Sequence, residues 1–201
     1  MPPHEPRGIF ASEMLLFCAV VDLLKQDHDL RIIESGRARG YSTEVMARFF
    51  PNTDITSIDH KNDDDAKYAA RKLLAYKNVN LVQGDGRNHL LDAIGEDPCA
   101  VLIDGPKGEN AITLAQFLLE RDDVLAVAMH DFYRPHPHRK LVEELFPNAF
   151  FSDEEDFVRE YRHLDNGCWP HTVNNPYERK GKKIESYAST LAVILNENVE
   201  V

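Results

Sequence analysis

Apolar positions along the chain fall into two alternating rhythms. Phe10, Met14, Phe17, Val21 and Leu24 recur at helical spacing and predict an amphipathic helix over residues 9 to 27. Short apolar runs then alternate with helical patterns. The runs are Leu30 to Glu34, Asp54 to Asp59, Val79 to Gln83, Ala100 to Asp104 and Val124 to Met129. Between them, helices are predicted after Gly40 (stopping at Pro51), from Asn62 with Asp63, Asp64 and Asp65 in its first turn, through Leu90, Leu91 and Ile94 to a left-handed end at Gly95, and over Glu109 to Leu119. Pro137 starts and Pro147 stops a further helix, and Tyr187 to Leu195 reads as a last, β-rich run. Strands alternating with helices at this spacing predict a three-layer α/β/α sandwich on a mostly parallel sheet, closed by a C-terminal antiparallel strand. All 201 residues are read as one domain: an N-terminal helix over 1–28, a core over 29–135 and, where the pattern weakens over 153–186, an insertion or lid.

Composition narrows the function. The formal net charge is −11, which disfavours nucleic acid as a partner, because a phosphate backbone requires a basic face. No Asp-Pro-Pro-Tyr motif for methylation of a base occurs. The basic run Arg179-Lys180-Gly181-Lys182-Lys183 reads first as a solvated loop and second as an anion contact. Cys18, Cys99 and Cys168 are odd in number and lack close spacing, which suits a reducing compartment better than a disulfide framework or a zinc site. The first residues lack the charged-then-apolar pattern of a signal segment, and the run Met14 to Val21 is too short to span a bilayer. The expectation is a cytoplasmic protein that binds neither membrane nor nucleic acid, with a small-molecule partner and a homo-oligomer left open.

In a parallel sheet, ligands bind beyond the carboxyl ends of the strands. Each run here ends at or near a polar group: Glu34 with Gly36, Gly40 and Ser42; Asp59 with His60; Gly84 with Asp85; Asp104 with Lys107; His130 with Asp131. A strand ending in a glycine turn that feeds a helix is a nucleotide-binding device. The dinucleotide pattern G-x-G-x-x-G is not matched, since Ala38 stands at the third position of that pattern and Tyr41 follows the second glycine. This weakens a nicotinamide-dependent oxidoreductase.

The pattern Glu34-x-Gly36-x-Ala38-x-Gly40 resembles the first motif of the Rossmann-like, class I S-adenosylmethionine-dependent methyltransferases, and the resemblance extends over Leu30 to Phe132. It implies S-adenosylmethionine as cofactor, with Glu34, Gly36, Gly40, Ser42, Asp59, His60, Gly84 and Asp85 around it. Asp59 would take the ribose hydroxyls, and Gly84-Asp85 would meet the adenine edge or form a simple turn. Asp104-Gly105-Pro106-Lys107 is similar to the stretch that in metal-dependent small-molecule O-methyltransferases supplies a metal-ligating Asp and, three residues on, a lysine base. That similarity implies Asp104, His130 and Asp131 as ligands of a divalent metal (Mg²⁺, or a softer ion such as Mn²⁺ given the histidine) and Lys107 as base, its pKa lowered by burial and the nearby cation. A tight turn with an exposed lysine is the alternative. His136 and His138 extend the histidine cluster, and Tyr161, Trp169, His171 and Tyr177 either line a pocket or pin the insertion. The activity expected is O-methylation of a small molecule. A non-catalytic binding or assembly module on the same fold stands beside it.

Overall fold

Helix α1 (Ala11–Leu24) precedes five strand–helix alternations. These run β1 (Arg31–Ser35), α2 (Tyr41–Phe49), β2 (Ile55–Asp59), α3 (Asp64–Leu73), β3 (Val79–Gln83), α4 (Gly86–Ile94), β4 (Cys99–Ile103), α5 (Glu109–Leu119), β5 (Val124–His130) and α6 (Arg139–Leu145). A two-residue strand β6 (Phe150–Phe151), helix α7 (Glu155–Tyr161) with a 3-10 turn over Arg162–Asp165, a hairpin β7 (Tyr177–Arg179) and β8 (Lys182–Ile184), and β9 (Leu191–Leu195) complete the described chain. The structure is a computed structural model, and it describes residues 8–134, 136–165, 177–179, 182–184 and 190–199.

Among the described residues the main sheet has seven strands in the order β3-β2-β1-β4-β5-β9-β6. The strands from β3 to β5 are parallel, and β9 runs antiparallel between β5 and β6. The direction of winding reverses between β1 and β4, so the crevice of this sheet opens there.

Alternation along the central strands builds two cores. On β4, Ala100 and Leu102 face a layer containing Met14, Phe17, Val21, Tyr41, Val45 and Met46, from α1 and α2. Cys99, Val101 and Ile103 face the other layer, with Leu90, Ile94, Ile112 and Ala115 from α4 and α5. A strand buried on both sides needs an unbroken apolar run, which is why β4 and β5 read that way in sequence. Cys18 and Cys99 are free buried thiols, both pushed up to about 12 chiefly by desolvation.

Element identities match the sequence reading, and the ends shift. Asp63 is the N-cap of α3, accepting the Ala66 amide at 3.0 Å, so only Asp64 and Asp65 occupy the first turn. Helix α6 begins at Arg139, after a His138 N-cap rather than at Pro137. Gly95 does hold a positive φ of 61° past α4, though its ψ of −137° is not that of a left-handed helix end. The last run is a strand only from Leu191, residues 185–189 lying outside the described residues. The weakly patterned 153–186 contains α7, the 3-10 turn and the hairpin, while Trp169 and His171 lie outside the described residues. No helix among the described residues is long and apolar enough to cross a membrane.

Candidate active site

The turn after β1 is held by buried acids. Glu34 is fully buried and accepts hydrogen bonds from three hydroxyls: Ser42 Oγ, Thr43 Oγ1 at 2.5 Å and Ser57 Oγ at 2.5 Å. Burial pushes its carboxyl up, and the three donors draw it back toward ionisation. Glu34 and Ser42 therefore fasten β1 to α2 and β2. Asp59 is also buried. Its Oδ2 accepts the Arg37 and Ala38 amides at 3.0 and 2.9 Å, and its Oδ1 accepts the Lys61 amide at 2.8 Å. A carboxylate has about four acceptor positions, so Asp59 shapes the loop with little capacity left for two ribose hydroxyls.

Gly36 carries φ 96° and Gly40 φ 73°. A Cβ on Gly36 would lie 2.7 Å from both the Asp104 carbonyl carbon and the Gly105 nitrogen, so only glycine lets this loop close on the end of β4. Ala38 itself sits at φ 44°. The two loop arginines point away from the crevice: buried Arg37 donates to the Ser57 carbonyl at 2.6 Å, and Arg39 stacks over Tyr68 at 4.3 Å and pairs with Asp65. Farther along the sheet edge, His60 is exposed, Asp85 caps α4 by accepting the Arg87 amide at 2.8 Å, and the His89 ring covers Gly84.

The ends of β4 and β5 bring charges together. Asp104 Oδ1 accepts from Lys107 Nζ and lies 2.6 Å from His130 Nδ1. Lys107 Nζ also lies 2.7 Å from Asp131 Oδ2, and Asp131 holds φ 73°. One ligand atom from each of Asp104, His130 and Asp131 lies within 4.8 Å of the others. Desolvation opposes ionisation of every group here, but their mutual attraction exceeds it: Asp104 and Asp131 are held below the usual carboxylate range, and the His130 imidazole is pushed up to about 10. Burial pulls Lys107 down, yet Asp104 and Asp131 carry it above its ordinary value. Two carboxylates thus favour the ammonium form of Lys107.

The sequence reading missed Glu13. It is buried on α1, with Oε2 3.4 Å from His130 Nε2. A carboxylate inside the stretch Ile9 to Cys18, apolar apart from it and Ser12, was the available signal. His136 packs edge-on against Phe132 and Tyr133, His138 stands at the start of α6, and among the described residues neither joins the ligand group.

Comparison with known proteins bears on the fold. The fold is that of the S-adenosylmethionine-dependent methyltransferases. The C-terminal domain of precorrin-6Y C5,15-methyltransferase from Rhodobacter capsulatus is 14% identical, with a TM-score of 0.60 over 96% of this chain and 92% of that one. The O-methyltransferase TomG from Streptomyces achromogenes, solved with S-adenosylmethionine, is 17% identical, with a TM-score of 0.58 over 94% of this chain and 82% of that one. An rRNA methylase from Streptococcus thermophilus is 13% identical, with a TM-score of 0.51 over 89% and 94%. The family model for protein-L-isoaspartate(D-aspartate) O-methyltransferase matches residues 7–93. That match runs from before α1 to the end of α4 and stops short of Asp104. No curated protein matches the chain.

Proposed function

We propose that this chain transfers a methyl group from S-adenosylmethionine to an oxygen of a small molecule, with a divalent cation held by Asp104, His130 and Asp131. The observation that carries the reading is the contact between Gly36 and the Asp104–Gly105 backbone, which puts the cofactor loop and the charged cluster on one crevice. The donor set of two carboxylates and one imidazole suits an ion that accepts mixed oxygen and nitrogen ligands, such as Mn²⁺ or Fe²⁺. The Lys107 ammonium paired with Asp104 and Asp131 supports a site that attracts positive charge. A cation held by these three residues would lower the pKa of the acceptor hydroxyl. Lys107 supplies the second positive charge, a donor toward the acceptor oxygen, and the turn from Gly36 to Gly40 orients the cofactor against the end of β4. Methyl transfer breaks the sulfonium–methyl bond and forms an oxygen–methyl bond; the bonding pair stays on sulfur, and the acceptor's hydroxyl proton passes to solvent at the half-exposed rim beside Lys107 and Asp131.

An acceptor carboxylate is the second reading, favoured by the description of the matching family model. Such an acceptor is already an anion and needs no base.

Calorimetry with S-adenosylmethionine, with and without Mn²⁺, tests the first reading. Binding of the cofactor and of the metal, the latter abolished in Asp104→Ala, is the expected result. A protein that binds neither is not this enzyme. Methylation of an isoaspartyl peptide without metal dependence would select the second reading.

A further inference from the structure

His130 stands between two carboxylates on opposite sides of its ring. Nδ1 faces Asp104 at 2.6 Å, and Nε2 faces Glu13 Oε2 at 3.4 Å. Both His130 and Glu13 are buried. A histidine that binds a cation through one nitrogen generally offers its other N–H to a carboxylate or carbonyl, which fixes the tautomer and the plane of the ring. Ionised carboxylates are rarely retained at such depth without a partner. Glu13 is itself held firmly: the Phe10 amide donates to Oε2 at 2.8 Å. One residue earlier, Ser12 donates to buried Asp165 from its amide at 2.9 Å and from its hydroxyl at 2.6 Å. The 3-10 turn over Arg162–Asp165 therefore pins the first turn of α1, and that turn presents Glu13 to the ring.

We propose that Glu13 is the positioning residue of the site: it holds His130 with Nε2–H toward α1, so that Nδ1 stays aimed between Asp104 and Asp131. This rests on the metal reading of those three residues.

The experiment uses the full chain and Mn²⁺ as probe. Removing such a supporting partner weakens metal affinity by roughly 10- to 100-fold. Glu13→Ala should show that loss by calorimetry. Glu13→Gln, which keeps an acceptor for Nε2–H and for the Phe10 amide, should recover most of it. Ser12→Ala, which loosens the helix start without touching the ring, should leave affinity unchanged if folding is intact. NMR of the His130 ring in metal-free protein supplies the separate readout. Wild type should give sharp ring signals with contacts to Glu13, and Glu13→Ala should broaden or shift them. Unaltered ring signals in Glu13→Ala overturn the proposal whether or not metal binds. Loss of affinity in Ser12→Ala equal to that in Glu13→Ala also overturns it, by making the effect one of the helix alone. Equal Mn²⁺ affinity in wild type and Asp104→Ala removes the metal reading instead.

Discussion

Two ends of one crevice are built by opposite means. Past β1 and β2, the acids Glu34 and Asp59 spend their acceptors on hydroxyls and backbone amides of their own chain. Past β4 and β5, Asp104, Lys107, His130 and Asp131 face one another as ions, with Lys107 and Asp131 half exposed. The first region sets a backbone shape. The second is a cluster of mutually paired charges at the strand ends. A neutral hydroxyl satisfies a buried acid cheaply, whereas clustered ions are strongly destabilised when one member is removed.

The comparison is broken most severely by Asp104→Ala. Lys107 and His130 then lose their shared partner, and removing one member of a buried ionic group costs about 3–5 kcal/mol. Chemical denaturation should register that loss, while metal-dependent turnover falls to background. Gly36→Ala strikes the point where the regions meet. The added methyl meets backbone at 2.7 Å, and such overpacking costs about 1–3 kcal/mol. Because the loop must recoil, affinity for S-adenosylmethionine should fall together with thermal stability.

A pH series on metal-free protein separates the regions without mutation. The folded pKa of His130 is raised to about 10, so its contribution is complete below the ordinary histidine value and is lost as pH rises through about 10. Asp104 and Asp131 are lowered, so theirs is complete above the ordinary aspartate value and lost in acid. Stability should peak in mildly acidic solution and decline toward alkaline pH. His130→Gln should flatten the alkaline limb, and an unchanged limb would refute the assignment. The smallest effect belongs to Ala38→Gly. The left-handed φ of 44° strains a residue bearing a Cβ, and glycine relieves about 1 kcal/mol, partly offset by its greater unfolded freedom. A small rise in melting temperature with unchanged metal affinity would place the benefit in the first region alone.

Much of this was legible along the chain. The two-sided burial of β4 follows from its unbroken apolar run, and the turn at Gly36 and Gly40 follows from the need for positive φ. The convergence of Asp104, His130 and Asp131 was visible as polar residues past two adjacent strands. Roles were less legible than positions. The hydroxyl and amide partners of Glu34 and Asp59 come from elements that meet only in the fold. The two carboxylates around Lys107 likewise gather only once β4 and β5 lie side by side.

The order of local elements, their apolar faces and the glycines that permit the turns were determined by the sequence itself, since each depends on residues a few positions apart. Which acids were satisfied internally, which charges were left facing the crevice, and that Glu13 stands behind His130 were decided only by tertiary structure. Protonation and hydrogen bonding depend on what lies within a few ångströms in space, and for Glu13 and His130 that neighbour comes from the other end of the fold.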